Sequence, residues 1–143
     1  MKKVRLLTMA VFFLATAVLF SSCSKSNEKL IVGSWRITQV FENSEYVDDY
    51  NNEVWGFRSN GVCSSTFLWE DYNIQGTYSL FDGSLLLNSG YVYHSNGWYK
   101  VSLDLEIIEL SRNNMRVSGY CNLTNSAGGS YTDYVVIQFK KVK

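Results

Sequence analysis

The sequence predicts an all-β domain, an eight-stranded antiparallel up-and-down barrel, from three observations. From Leu30 onward the segments are short and rich in Val, Ile, Thr, Tyr, Phe and Trp. Apolar and polar residues alternate within them, the period of a strand with one face buried. Turn residues separate them at nearly even spacing. Aromatic residues make up 15% of the chain, which places it among chains that build a packed core rather than among disordered ones.

The strands are predicted at 31–41, 53–58, 62–69, 73–80, 84–93, 98–109, 115–122 and 131–140. Ser59-Asn60-Gly61, Asp82-Gly83 and Ser95-Asn96-Gly97 supply residues that accept positive φ in tight hairpins, and Ser111-Arg112-Asn113-Asn114 closes another. The stretch Leu103 to Leu110 has helix-like glutamates. Even so, Val101, Leu103, Leu105 and Ile107 alternate with Ser102, Asp104 and Glu106, so it is read as strand. Parity puts Ile31, Gly33, Trp35, Ile37 and Phe41 on one face, Phe67 with Trp69, Ile74 with Tyr78 and Leu80, and Ile137 with Phe139. Ser34, Arg36, Thr38, Gln75, Thr77, Ser79, Gln138 and Lys140 take the opposite face. One face is apolar and the other wet, which suits a barrel whose closure removes exposed strand edges. A two-sheet β-sandwich built from the same strands is the alternative.

Ahead of this domain, Lys2, Lys3 and Arg5 precede an apolar run from Leu6 to Phe20. That layout is a signal peptide's, and the run is shorter than the roughly 20 residues a membrane-crossing helix needs. The junction Leu19-Phe20-Ser21-Ser22-Cys23 resembles the lipobox of bacterial lipoproteins, in which the cysteine becomes the lipidated first residue. The expected organisation is therefore a signal peptide at 1–22, a lipidated tether at 23–29 and a barrel domain at 30–143. The expected address is the bacterial cell envelope, outer membrane, with the lipid on Cys23. Cleavage removes three basic and no acidic residues, leaving 10 Lys+Arg against 13 Asp+Glu. A mildly acidic domain without a phosphate-neutralising patch argues against nucleic acid as a partner.

In an up-and-down barrel, connections alternate between the two ends. Connections two, four and six are tight, whereas one (Glu42 to Asn52) and seven (Asn122 to Ser130) are long and polar, so a closed bottom and a loop-bearing top are expected. The fifth connection, Ser95 to Gly97, is short and departs from that trend.

The opening Leu30-Ile31-Val32-Gly33-Ser34-Trp35-Arg36-Ile37 contains a Gly-x-Trp and resembles the first strand of lipocalin and wider calycin barrels. Trp55-Gly56-Phe57-Arg58-Ser59-Asn60-Gly61 and Ile108 to Val117 resemble hairpins of bacterial lipocalin-like lipoproteins. The resemblance covers nearly all of the mature chain and implies a lipocalin-like barrel. In such a barrel Trp35 plugs the closed end, and Gly33 lets a neighbour approach.

No Ser-His-Asp spacing, phosphate cradle or zinc pattern is present, so no catalytic residue, cofactor or metal is assigned and the chain is not read as an enzyme. His94, the only histidine, follows Tyr93 at a turn and has no partner pattern. The acidic group Glu42, Glu45, Asp48, Asp49 and Glu53 lacks the glycine and distal glutamate of a calcium loop and is read as a solvated loop. What remains is aromatic. Trp55, Trp69, Tyr72, Tyr78 and Trp98 are the candidate ligand-binding residues, beside Tyr91 and Tyr93. The expected function is a membrane-anchored lipocalin-like module holding a small apolar or amphipathic ligand in its barrel. The alternative is an interaction protein with a filled barrel, contacting a partner protein or glycan through its loop end. Cys63 and Cys121 both have inward parity; two buried free thiols are the favoured outcome, and a bridge is the other.

Overall fold

The computed structural model describes residues 26–67, 72–94 and 97–143. Residues 1–22, expected to be a signal peptide, Cys23, Trp69, and Ser95 and Asn96 of the predicted fifth connection lie outside them. A short helix, residues 26–31 (α1), leads into nine strands. These are β1 (Gly33–Glu42), β2 (Glu45–Val47), β3 (Val54–Phe57), β4 (Val62–Phe67), β5 (Tyr72–Phe81), β6 (Ser84–His94), β7 (Gly97–Leu110), β8 (Asn114–Asn125) and β9 (Ser130–Lys141). Each of β3 to β8 pairs with the next, β1 pairs with β3, and a β1–β9 ladder closes the circle. All ladders are antiparallel. The fold is thus a closed eight-stranded barrel with β2 as an extra strand, and the sandwich is excluded.

The core follows the alternation. Cross-strand rows such as Ile37–Phe139–Met115 and Val117–Ile137 are buried, as is the Leu85–Leu105 pair. Burying each such side chain stabilises the fold by about 1.5–3 kcal/mol. In β1 the predicted parity fails past Ile37, because the register slips between Ile37 and Gln39. This bulge turns Val40 inward, at 1% exposure, and Phe41 outward against Tyr46.

The closed end is built around Trp35. Its indole Nε1 donates to the Ile31 carbonyl at 2.6 Å, so α1 is fastened beneath it. Lys141 Nζ donates to the Leu30 and Val32 carbonyls at 2.8 and 2.7 Å and stands 4.7 Å from the Trp35 ring centroid. Gly33, at φ +130°, makes room for this, since a Cβ there would come within 2.8 Å of Lys141 Cε. Residues 26–29, expected to be tether, and Ile31, expected to begin the first strand, instead form this plug. Ile31 gains full burial by doing so.

The first connection also differs from expectation. Asn43 and Ser44 take φ of 49° and 74°, a two-residue hairpin turn, and fold Glu45–Val47 back on β1 as β2. Asn43 then ties the hairpin to β9, donating to Asp133 Oδ1 and accepting from the Tyr134 amide. The seventh connection shrinks to residues 126–129, because β8 and β9 run farther than the sequence suggests. Asn125 organises it, accepting from the amides of Ala127 and Gly129. The loop asymmetry is consequently smaller than expected and rests mainly on residues 43–53.

Gly119 is the tightest point of the wall. A Cβ there would run into the Asp104 carbonyl and lie 2.9 Å from Leu105 Cα, both of them backbone that cannot swing away. Gly119→Ala is expected to cost about 2 kcal/mol or more in urea denaturation. A change below about 0.5 kcal/mol, the range of neutral surface substitutions, would show that β7 and β8 separate easily.

Candidate functional site

The upper interior of the barrel holds the candidate site. β3 turns Trp55 and Phe57 inward, β4 turns Cys63 and Ser65, and β7 turns Val101 and Leu103, so that these side chains and Leu87 surround a cavity of about 70 Å³. Gly76, Asn88 and Ser89 line it where the β5–β6 ladder ends, at the Gly76–Ser89 pair. Trp55 leans on Phe139 across the interior, ring centroids 5.2 Å apart.

A carboxyl stands at the edge of this apolar space. Glu53 is 2% exposed, and its Oε1 accepts from Trp55 Nε1 at 2.7 Å and from Ser65 Oγ, two residues that line the cavity. Its main chain is fixed too, for its amide donates to the Tyr50 carbonyl and its own carbonyl accepts from the Ile37 amide. Burial pushes its pKa up to about 7, against the two hydrogen bonds that favour the charged form. This corrects the reading of Glu53 as part of a solvated loop. Parity counted backward from Trp55 and Phe57 places it inward, and that signal was available in the sequence.

Further polar groups gather on the β1, β8 and β9 side, outside the lining of the cavity. Glu42 pairs with the buried Val135, and Cys121 pairs with Asp133. Burial raises the Glu42 pKa, a hydrogen bond from Tyr50 opposes this, and the charges of Asp133 and Asp49 add to it. The Cys121 thiol is pushed up to about 11 by burial and by Asp133 and Glu42, so it remains a thiol at neutral pH. Burial also raises Cys63, and both cysteines are free. Glu45, Asp48 and Asp49 are exposed, as a solvated loop requires. Among the described residues no group of three or more His, Cys, Asp or Glu is placed to hold a metal ion.

The structure separates the five sequence candidates. Trp55 lines the cavity. Tyr78 packs edge-on against Phe57 at 5.1 Å, but its hydroxyl donates to the Arg58 carbonyl, and it lines an outer groove of about 590 Å³ beside α1. Trp98 is 56% exposed, on the register opposite to Val101 and Leu103. Trp69 and the side chain of Tyr72 lie outside the described part, as do the side chains of Tyr91, Tyr93 and His94. Sequence reasoning missed Glu53, Ser65 and Tyr50.

The arrangement offers an apolar recess with the Glu53 carboxyl, a hydrogen-bond acceptor, at its edge. Comparisons with family models, curated proteins and solved structures give no match.

Proposed function

We propose that the protein is a lipid-anchored barrel of the cell envelope that holds the apolar end of a small amphipathic ligand. The carrying observation is the apolar recess of about 70 Å³ with the buried Glu53 carboxyl at its edge. Its size decides how much of a ligand enters. It is roughly half the volume that admits benzene and well below the roughly 300 Å³ of a full ligand pocket, so only a short apolar arm fits. The remainder of the ligand would lie toward the loop end, where Glu53, Tyr50 and Glu42 accept or donate hydrogen bonds. Titration with alkyl amines and alcohols of graded chain length, followed by tryptophan fluorescence, tests this. Saturable binding that is lost in Val101→Phe, where the recess is filled, is the expected outcome. Absence of binding by every member of the series would overturn it.

One observation favours an outward-facing role. Tyr120 and Tyr134 are directly paired across β8 and β9, 54% and 40% exposed, with rings 5.4 Å apart. Such a pair suits stacking on a sugar or docking of a protein. Loss of glycan or protein capture in Tyr120→Ala, with ligand titration flat, would favour that role.

Anchoring through Cys23 is supported by the basic cap, the short apolar run and the Ser-Ser-Cys junction. Cys23→Ala is expected to release the domain from membrane fractions or to leave an unprocessed precursor. Continued processing with full membrane retention would refute it.

A further inference from the structure

The barrel's charges are sorted along its axis. At the closed end, α1, the β3–β4 and β7–β8 turns and the end of β9 carry exposed Lys29, Arg58, Arg112, Lys140 and Lys143. Main-chain hydrogen bonds hold these pieces together: Lys141 N donates to the Asn113 carbonyl and Val142 N to that of Ser34. Arg36 stands directly opposite Lys140 across the β1–β9 ladder, both exposed. Like charges in that position destabilise a sheet unless an anion relieves them. The acids of this half, Glu28, Asp82, Glu106 and Glu109, are fewer than its cations. Toward the open end the balance reverses: Glu42, Glu45, Asp48, Asp49, Glu53 and Asp133 gather there, with Lys100 as the cation of that half among the described residues.

Two further observations belong to the closed end. Phe81, at the tip of the β5–β6 hairpin, is 80% exposed. The chain also enters the barrel there, and Cys23 precedes residue 26 by three peptide units, a reach of about 10 Å. We infer that the closed end docks on an anionic lipid surface, its basic side chains on the headgroups and Phe81 among them, with the loop end turned away. This rests on the anchoring at Cys23 proposed above, since a lipid so near α1 brings this end to the bilayer. Charge complementarity then selects an anionic surface over a neutral one, through contacts that act within a Debye length of the headgroups. The mature domain is acidic in sum, so the sorting, not the net charge, supplies the attraction.

Hydrogen exchange on the lipidated protein in vesicles tests the docking, with phosphatidylcholine alone compared with phosphatidylcholine containing phosphatidylglycerol. Flotation on the neutral vesicles reads the anchor by itself. Amides at 58–62, 81–84 and 111–114 are expected to exchange about fivefold slower or more on the anionic vesicles, with residues 43–52 and 126–129 unchanged. High salt, or the double substitution Arg58→Glu with Arg112→Glu, should abolish the difference. Flotation with equal exchange on both vesicles overturns the docking and leaves the anchor standing. Failure to float on neutral vesicles removes the anchor, and the same protection on anionic vesicles would still support the surface. Protection at 43–52 instead would reverse the orientation and overturn the inference.

Discussion

Trp35→Ala is expected to lower stability by about 3–5 kcal/mol, the cost of emptying a large aromatic site in a packed core. Trp35 is wholly buried, fastens α1 through the Ile31 carbonyl, and lies under the Lys141 ammonium. Removing the indole leaves Ile31 without its cover and strips Lys141 of the ring beneath it. Domains of this kind are stable by about 5–15 kcal/mol, so the substitution consumes a large share of the whole. Trp35→Phe keeps most of the volume and loses the hydrogen bond, with an expected cost of about 1–2 kcal/mol, and it provides a reading should the alanine variant fail to fold. Urea denaturation of both variants, with protease accessibility near Ser26 as a second readout, checks the claim. A loss under about 1 kcal/mol in Trp35→Ala would mean that the closed end is held by something other than this plug.

The same residues explain why the barrel was legible and parts of it were not. Ile137 and Phe139, or Leu85 and Leu87, are buried by an alternation that any strand displays, so strand count and inward faces follow from the sequence. A bulge is one added residue without a compositional mark. Nothing in Ile37-Thr38-Gln39-Val40 announces that Phe41 turns out and Val40 turns in. The β2 hairpin had a mark, Asn43 at a turn, but three residues of strand are too few to show a period. The helical plug was hidden because Leu30-Ile31-Val32 has the composition of a strand. Its role comes from contacts with Trp35 and Lys141, the latter 111 residues away from Leu30.

For the site, residue type outweighed parity. Trp98 and Tyr78 were singled out for their rings, yet Trp98 stands on the outward register and Tyr78 sits low, against the β3–β4 turn. Alternation tells which face a side chain takes and not at which height along the barrel. Glu53 is read from the sequence with the acidic group of the first connection, as part of a solvated loop, whereas carboxylates are buried only where they are partnered. Its partners, Trp55 two residues on and Ser65 across the ladder, become visible only when β3 and β4 are set in register.

The buried carboxyl yields the prediction tied most closely to the site. In the unfolded chain Glu53 ionises near its ordinary value of 4.5; in the folded barrel it keeps its proton to about 7. Between those values the unfolded state has lost a proton that the folded state still holds, so rising pH favours unfolding across this window. The contribution is fully present below about pH 4.5, declines through the window and is gone above about 7. A shift of that size corresponds to about 3 kcal/mol. Glu53→Gln retains an oxygen to accept from Trp55 and Ser65 and has nothing to ionise. It is expected to match the parent at pH 4 and to exceed it in stability by up to about 3 kcal/mol at pH 8, as read by urea denaturation at each pH. Glu42 carries a shift of the same sign but is present in both proteins, and it cancels in the difference. A pH-independent difference, or a glutamine variant less stable at pH 8, would show that Glu53 is well solvated or that its ionised form is the one the barrel stabilises. If the expected result holds, the parent protein carries an unfavourable charge beside its apolar recess at neutral pH. A ligand that brings a donor or a positive charge to Glu53 would remove that cost and should bind more weakly to Glu53→Gln than to the parent.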